Sequence, residues 1–267
     1  MKTCALAASL AAVGQLILPN ESSGALYYGM NLPESDAGAV SGGILSLTDN
    51  GSSISGVFTR GNGSFANNLV IFIDSNPNPA VGFNNTSSFY DSGAGFRASI
   101  SGYNGSARST FQFVNGFHAD YAISLGVNDL ASGGELFRLV GGSGNTFEDL
   151  GSVHLGPATD VNSRNQNGGP YTFSFNWSDI GLTPNSGSGF RFETGYVYPT
   201  GNSYFQSFEQ ITGASGWNNT ITFTEADQFL QVVPEPTNVA LAIFGGLVLA
   251  GCAAGRARSC LVGRKGG

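Results

Sequence analysis

Short apolar runs separated by turn residues fill most of the chain. In Tyr171-Thr-Phe-Ser-Phe-Asn-Trp177 the aromatic rings alternate with Thr, Ser and Asn. Such alternation predicts a β-strand with one buried face, because successive side chains in a strand point to opposite sides. Asn50-Gly51, Asn62-Gly63 and Asn104-Gly105 are typical of the turns between strands.

The same pattern recurs along the chain and predicts one domain of many short strands. The predicted strands span residues 25–30, 43–48, 54–59, 69–74, 98–103, 110–115, 121–127, 136–140, 150–154, 171–176, 190–197, 205–210 and 220–223. Strands this short, with frequent turns and no long amphipathic stretch, indicate an all-β fold, namely an antiparallel β-sandwich or jelly roll. We assign this domain to residues 26–231, between a signal helix at 1–25 and a sorting segment at 232–267.

The composition favours β-strands, and the charge of the domain excludes one class of binding partner. The chain has 40 Gly, 20 Phe and 9 Tyr, and only 11% of its residues are charged. Between Ala25 and Val233 there are six arginines, no lysine and sixteen Asp or Glu, a net charge of −10. Such a domain repels phosphate backbones, so nucleic acid is not expected as a partner. The three cysteines lie near the ends, at Cys4, Cys252 and Cys260, so the domain depends on no disulfide.

The N-terminus has the organisation of a secretory signal. Lys2 precedes an apolar run that extends to Leu18, and small residues follow at Ser23 and Ala25. A positive start, an apolar middle and a small-x-small exit predict cleavage by signal peptidase after Ala25.

The C-terminus carries three features in a fixed order. Pro234, Glu235 and Pro236 come first, and residues 238–255 then form an uncharged apolar run. Its length approaches the ~20 residues of a transmembrane helix. A basic tail of Arg256, Arg258, Arg264 and Lys265 follows and places that end in the cytoplasm.

In this motif, apolar span and basic tail, residues 232–267 resemble the sorting signals of bacterial PEP-CTERM proteins. The resemblance implies recognition by an exosortase, a membrane transpeptidase, with anchoring in the inner membrane during transit. Removal of the tail and delivery to the cell surface or extracellular matrix would follow. Members of the family usually accompany exopolysaccharide production. The alternative is a plain single-pass anchor with an accidental Pro-Glu-Pro.

The middle of the chain is loosely similar to exported β-sandwich domains that look like carbohydrate-binding modules. The likeness rests on 68–78, on Phe117–Leu125 with its Asp-Tyr-Ala, and on Tyr171–Leu182 with its Trp-Ser-Asp-Ile-Gly corner. It implies a sandwich more than any ligand. Within the corner, Trp177 is expected to be a packing anchor.

Two sets of residues are candidates for ligand binding. Tyr196, Tyr198, Tyr204 and Trp217 lie in Gly/Ser/Asn-rich surroundings, where exposed rings would stack on the apolar faces of sugars. The alternative is that these rings belong to the core.

The second set is Asp74, Asn76 and Asn78, which place oxygen side chains at alternate positions, as in the first half of a calcium loop. Pro79 and Asn85 stand where an EF-hand has Gly and Glu, so an Asx-turn is the competing interpretation. No other metal or cofactor is expected.

Catalytic machinery is not evident. His118 and His154 occur outside any metal-binding or triad motif, and both are expected to be structural. The acidic pairs Glu148-Asp149 and Glu225/Asp227 would suit a glycoside hydrolase only if they faced each other across a cleft. The sequence therefore predicts a non-catalytic surface protein, with a carbohydrate-binding module as the alternative.

Overall fold

The predicted all-β fold is confirmed in the part of the chain that the structure describes. The computed structural model describes residues 24–28, 39–40, 42–75, 95–101, 110–114, 116–127, 132–139, 148–155, 166–184, 189–197, 205–206, 211–212 and 220–223. Within these ranges the chain forms mostly antiparallel strands in sheets that pack face to face. The transmembrane helix and the sorting segment predicted above lie outside the described residues, as do residues 1–23 of the predicted signal helix. Its last two residues, Gly24 and Ala25, belong instead to a strand.

The first sheet presents one face to the core. Its strands, in spatial order, are β1 (Gly24–Tyr28), β2 (Ile44–Asp49), β3 (Ser53–Thr59), β10 (Tyr171–Asn176) and β9 (His154–Leu155). All neighbouring pairs are antiparallel. Burial alternates along β2, β3 and β10, as the sequence pattern predicts. The inward residues form one core with the second sheet.

The second sheet is buried on both faces at its centre. Its spatial order is β12 (Phe205–Gln206), β11 (Arg191–Val197), β4 (Asn68–Asp74), β6 (Tyr121–Val127), β7 (Ser132–Arg138) and β8 (Glu148–Ser152). Every residue of β4 and β6 is buried. Leu69, Ile71 and Ile73 face the first sheet, whereas Val70 and Phe72 point to the opposite side. A third layer must therefore cover that outer face.

The third layer consists of a short helix and a small sheet. The helix is α1 (Phe96–Ser101), and the sheet has the order β13 (Ile211–Thr212), β14 (Thr220–Phe223) and β5 (Thr110–Gln112). Strands β14 and β5 pair in parallel. Ile100 of α1 and Phe223 of β14 join Val70 and Phe72 in a second hydrophobic cluster.

Helix α1 corrects one prediction, because residues 98–103 were expected to form a strand. Ala98 and Ile100 alternate with polar residues, but Phe96 and Ile100 also have the i, i+4 spacing that aligns side chains on one helical face. Both contribute to this second hydrophobic cluster, and Ser99 Oγ donates to the Gly95 carbonyl one turn earlier. The sequence of this six-residue segment fits both the strand period and the helical period, and packing against the second sheet selects the helix.

A glycine allows close contact between β3 and β10. Gly56 lies opposite Phe173, and the phenyl ring covers the site that a side chain would occupy. A Cβ atom on Gly56 would lie 2.0 Å from Phe173 Cζ. The ring is itself buried in the core between the sheets, so it has little room to withdraw.

We expect Gly56→Ala to destabilise the protein by about 2 kcal/mol or more, because the methyl group overpacks the core against the Phe173 ring. Chemical denaturation of the purified protein measures the free energy of unfolding. In a Phe173→Leu background the same substitution should cost clearly less, since the ring is gone. An equal cost in both backgrounds would contradict the proposed clash.

Arg60 joins two loops at one end of the first sheet. Its guanidinium donates to the carbonyl oxygens of Gly61 and Gly63 on one loop and of Asn167 and Gly168 on the other, at 2.8 to 3.1 Å. Tyr171 lies nearby, with its ring 5.9 Å from that of Phe58. Burial raises the pKa of the Tyr171 hydroxyl above 10.0, although Arg60 and a hydrogen bond with the Gly168 backbone partly offset this effect.

The raised pKa of Tyr171 predicts a loss of stability at alkaline pH. Above about pH 10 the unfolded chain releases this proton while the folded protein still holds it, so the free energy of unfolding falls as pH rises. Tyr171→Phe removes this contribution, and its stability should decline less steeply between pH 9 and pH 11. Urea denaturation across that range is the measurement. Identical slopes for the two proteins would contradict the assignment.

Candidate functional site

A cleft of about 450 Å³ opens where the chain crosses from the second sheet to the first. Strands β7 and β8 form one side, and β10 with the 3₁₀ helix Trp177–Ile180 forms the other. Val153, between β8 and β9, lies at the crossing and donates its N–H to the Gly134 carbonyl at 2.9 Å. We call this feature the edge cleft, and its described lining residues are Leu136, Arg138, Leu150, Gly151, Val153, Ser174, Phe175, Asn176, Ser178 and Asp179.

The apolar part of the edge cleft is continuous with the core. Leu136, Val153 and Phe175 are buried members of the core between the sheets, and Leu150 packs against it. Strand β8 has a bulge here: Gly151 pairs with Leu136 and Asp149 with Phe137, which leaves Leu150 as the extra residue. Gly151 has φ = 99°, a conformation that glycine adopts readily. Bulges are common beside functional sites, because they redirect side chains.

The polar part of the edge cleft lies mainly on the side of the first sheet. Asp179 Oδ2 accepts hydrogen bonds from the Asn176 backbone N–H at 2.8 Å and from its Nδ2 at 3.0 Å. These bonds hold both side chains at the start of the 3₁₀ helix. Ser174 and Ser178 add hydroxyl groups. From the other side, Arg138 places its guanidinium carbon 5.9 Å from the centre of the Tyr121 ring.

Trp177 anchors this wall to the core, as the sequence predicts. The indole is 1% exposed and packs edge-on against Phe190, with ring centres 5.7 Å apart. Its Nε1 donates to Asp49 Oδ1 at 3.1 Å, and its backbone N–H donates to the Ser52 carbonyl. Residues 176, 178 and 179 therefore lie on a segment fixed by a buried ring, so their polar groups are held in place before any ligand arrives.

Tyr196 is not an exposed aromatic residue, which corrects the hypothesis that its ring contacts a sugar. It is 0% exposed in β11 and stacks on Phe65, with ring centres 6.1 Å apart. Its hydroxyl accepts from the Asn67 N–H at 3.0 Å and donates to the Ser64 carbonyl at 3.3 Å. The phenol thus satisfies buried backbone groups. The other three aromatic candidates, Tyr198, Tyr204 and Trp217, lie outside the described residues.

Asp74 forms an ion pair with Arg191 in which only the carboxylate is buried, and this pairing corrects the role of calcium ligand considered for Asp74. Its side chain is 2% exposed, and its Oδ2 accepts from Arg191 Nη2 and from the His118 backbone N–H. Arg191 also donates to the Gly116 carbonyl, and its guanidinium carbon lies 5.7 Å from the centre of the Phe117 ring. The carboxylate thus ties the end of β4 to β11 and to residues 116–118. Asn76 and Asn78 lie outside the described residues.

The remaining candidates are not brought together into a catalytic or metal site by the described residues. Glu148 and Asp149 lie in β8, opposite Arg138 and Phe137 of β7. His154 lies in β9 and pairs with Ser174 of β10. Across the described ranges, no group of three or more His, Cys, Asp or Glu side chains is arranged to hold a metal ion. Glu225, Asp227 and the sorting motif fall outside those ranges.

Sequence reasoning singled out Trp177 but not the cleft beside it. The Trp-Ser-Asp-Ile-Gly corner was the available signal, because an aspartate two residues after a strand-terminating Trp can cap the turn. The opposite side, with Arg138 and the bulge at Leu150, follows from strand register, which the sequence pattern does not specify.

Comparison with known proteins gives no further assignment. No family model matches the chain, and neither the curated proteins nor the solved structures contain a significant match. No helix within the described residues is long and apolar enough to cross a membrane.

The Asp74–Arg191 ion pair predicts a clear cost for removing its cation. Arg191→Met should destabilise the protein by about 2 kcal/mol, because it leaves the buried carboxylate of Asp74 without its counter-charge. The cost is below that of a fully buried pair because the Arg191 side chain is 26% exposed. Arg138→Met is the matched control: Arg138 is exposed, and its loss should cost less than about 1 kcal/mol. Denaturant unfolding of both variants gives the comparison, and equal costs would show that the Asp74–Arg191 pair has no special weight.

Proposed function

We propose that this chain is an exported bacterial surface or extracellular-matrix protein, non-catalytic and structural, that is sorted by an exosortase-type system. The observation that carries the proposal is the order of the C-terminal segments: Pro234-Glu235-Pro236, the uncharged run 238–255 and the basic tail. The two prolines keep this peptide extended, because proline restricts its own backbone and that of the preceding residue. An extended peptide beside a membrane span is a suitable substrate for a membrane-embedded transpeptidase.

The described strands lie between the apolar N-terminal run and the Pro-Glu-Pro motif. The domain between them contains no cysteine, so it can fold without oxidation on either side of the membrane. Its stability comes instead from two hydrophobic clusters and the Asp74–Arg191 ion pair.

Strand β1 bears on the processing site. Gly24 and Ala25 pair with Thr48 and Leu47 at the start of β1, so cleavage after Ala25 removes two of the five residues in this strand. The remaining residues, Leu26–Tyr28, still pair with β2. The mature N-terminus should therefore lie within an edge strand that stays attached to the sheet.

Export and processing can be tested by mass spectrometry of the mature protein from its native host. We expect the chain to start at Leu26 and to lack the segment that follows the sorting motif. Glu235→Gln should leave the tail uncleaved and the protein in the inner membrane, whereas Glu225→Gln, an acidic residue outside the motif, should be processed normally. A cytosolic product that retains Lys2 and Gly267 would refute the proposal.

A carbohydrate-binding role is the second candidate, and the edge cleft favours it. The cleft lies within the 300 to 1,000 Å³ range typical of small-molecule sites. Its polar side chains can form hydrogen bonds with hydroxyl groups, and its apolar residues can contact C–H faces. A glycan array separates the two candidates, since a purely structural protein should bind none of the glycans reproducibly.

A further inference from the structure

We propose that the edge cleft binds one end of a neutral saccharide and that Asp179, Asn176, Ser174 and Arg138 form the hydrogen bonds. The proposal builds on the carbohydrate-binding candidate above and assigns it a site and a ligand class. This site does not include the aromatic residues that the sequence suggested as sugar contacts.

Size restricts the ligand. The volume of about 450 Å³ lies in the lower part of the range typical of small-molecule sites. This space suits a sugar ring or a disaccharide better than a long stretch of polymer. The polymer would extend outward from the open side, between the edges of the two sheets.

The chemistry of the lining suits a polyhydroxyl compound. Leu136, Val153 and Phe175 give the cleft an apolar part, and the neighbouring residues of β10 and the 3₁₀ helix supply hydroxyl, amide and carboxylate groups. A sugar ring has both kinds of surface, since its C–H groups cluster on its faces and its hydroxyls lie around the rim. A purely apolar ligand would leave the polar groups desolvated and unpaired, which is costly.

Charge selects a neutral sugar. Among the described lining residues, Arg138 is the one cation and Asp179 the one anion. The domain around them has a net charge of −10 and repels anionic ligands over longer distances. A uronic acid or a phosphate would therefore be disfavoured. A neutral hydroxyl, by contrast, can both donate to the aspartate and accept from the guanidinium.

The hydrogen-bonding groups are already oriented. Asp179 Oδ2 takes both hydrogen bonds from Asn176, and Asp179 Oδ1 has no donor among the described residues, so it remains as an acceptor for a ligand hydroxyl. Because Trp177 fixes this wall in the core, little conformational freedom is lost when a ligand binds.

The test is titration of the purified full-length chain with glucose, galactose, mannose, N-acetylglucosamine and their disaccharides, followed by NMR and calorimetry. Glucuronate is the charged comparator. We expect at least one neutral sugar to bind and to shift the amide signals of Gly151, Ser178 and Asp179. The uronate should bind more weakly.

A pair of exposed serines gives a matched control. Ser178→Tyr places a ring in the mouth of the cleft and should weaken binding by about tenfold or more. Ser52→Tyr, an exposed residue outside the described cleft lining that also contacts Trp177 through its backbone, should leave affinity unchanged. The melting temperature of each variant verifies that it is folded.

Three results would overturn the proposal: no binding of any sugar by the folded protein, preference for glucuronate, or binding that Ser178→Tyr leaves intact. Sugar binding that survives Ser178→Tyr but is lost in Trp217→Ala would place the site elsewhere and preserve the carbohydrate-binding candidate. The mass-spectrometric test of export has a separate readout, so failure of one proposal does not imply failure of the other.

Discussion

Burial of both faces of the second sheet is the constraint on which the rest of this structure depends. In β4 and β6 every side chain is removed from water, so the sheet requires the first sheet on one side and a third layer on the other. Polar residues within these strands then need internal partners. Asn68, for example, donates to Ser99 Oγ at 2.8 Å and so fastens the covering helix α1 to β4. The third layer is therefore held by a specific bond as well as by apolar contact.

The second sheet also carries an ion pair where β4 and β11 meet. Asp74 is the last residue of β4 and Arg191 the first of β11, so their ion pair joins the ends of the two strands. Residues 116–118 lie beside the pair and form hydrogen bonds with both side chains. Such a pair contributes little net stability compared with apolar residues, but it penalises any register that separates the charges. In a domain without disulfides, we interpret this corner as a device that fixes strand register rather than as a metal site.

Much of the fold could be predicted from the sequence, whereas most of the candidate site could not. The predicted boundaries of 121–127, 171–176 and 220–223 coincide with those of β6, β10 and β14, since apolar patterning with turn signals on either side specifies strands well. The strand predicted at 98–103 is wrong because helix α1 is too short for its sequence to show a helical period. The predicted exposure of Tyr196 is wrong for another reason. Neighbouring Gly, Ser and Asn residues indicate loops but do not show which face of β11 the ring occupies.

The three-layer arrangement also limits where a ligand can bind. The outer face of the second sheet is covered, and the outer face of the first sheet carries small side chains such as Ser46, Thr48, Ser55 and Thr172, which form no described pocket. The described cleft lies instead where the chain crosses between the sheets, with the bulge at Leu150 on one side and the 3₁₀ helix after β10 on the other. Both sides of that opening are anchored in the core. Because folding itself orders the polar groups of the edge cleft, the recognition proposed there would require little rearrangement of the domain.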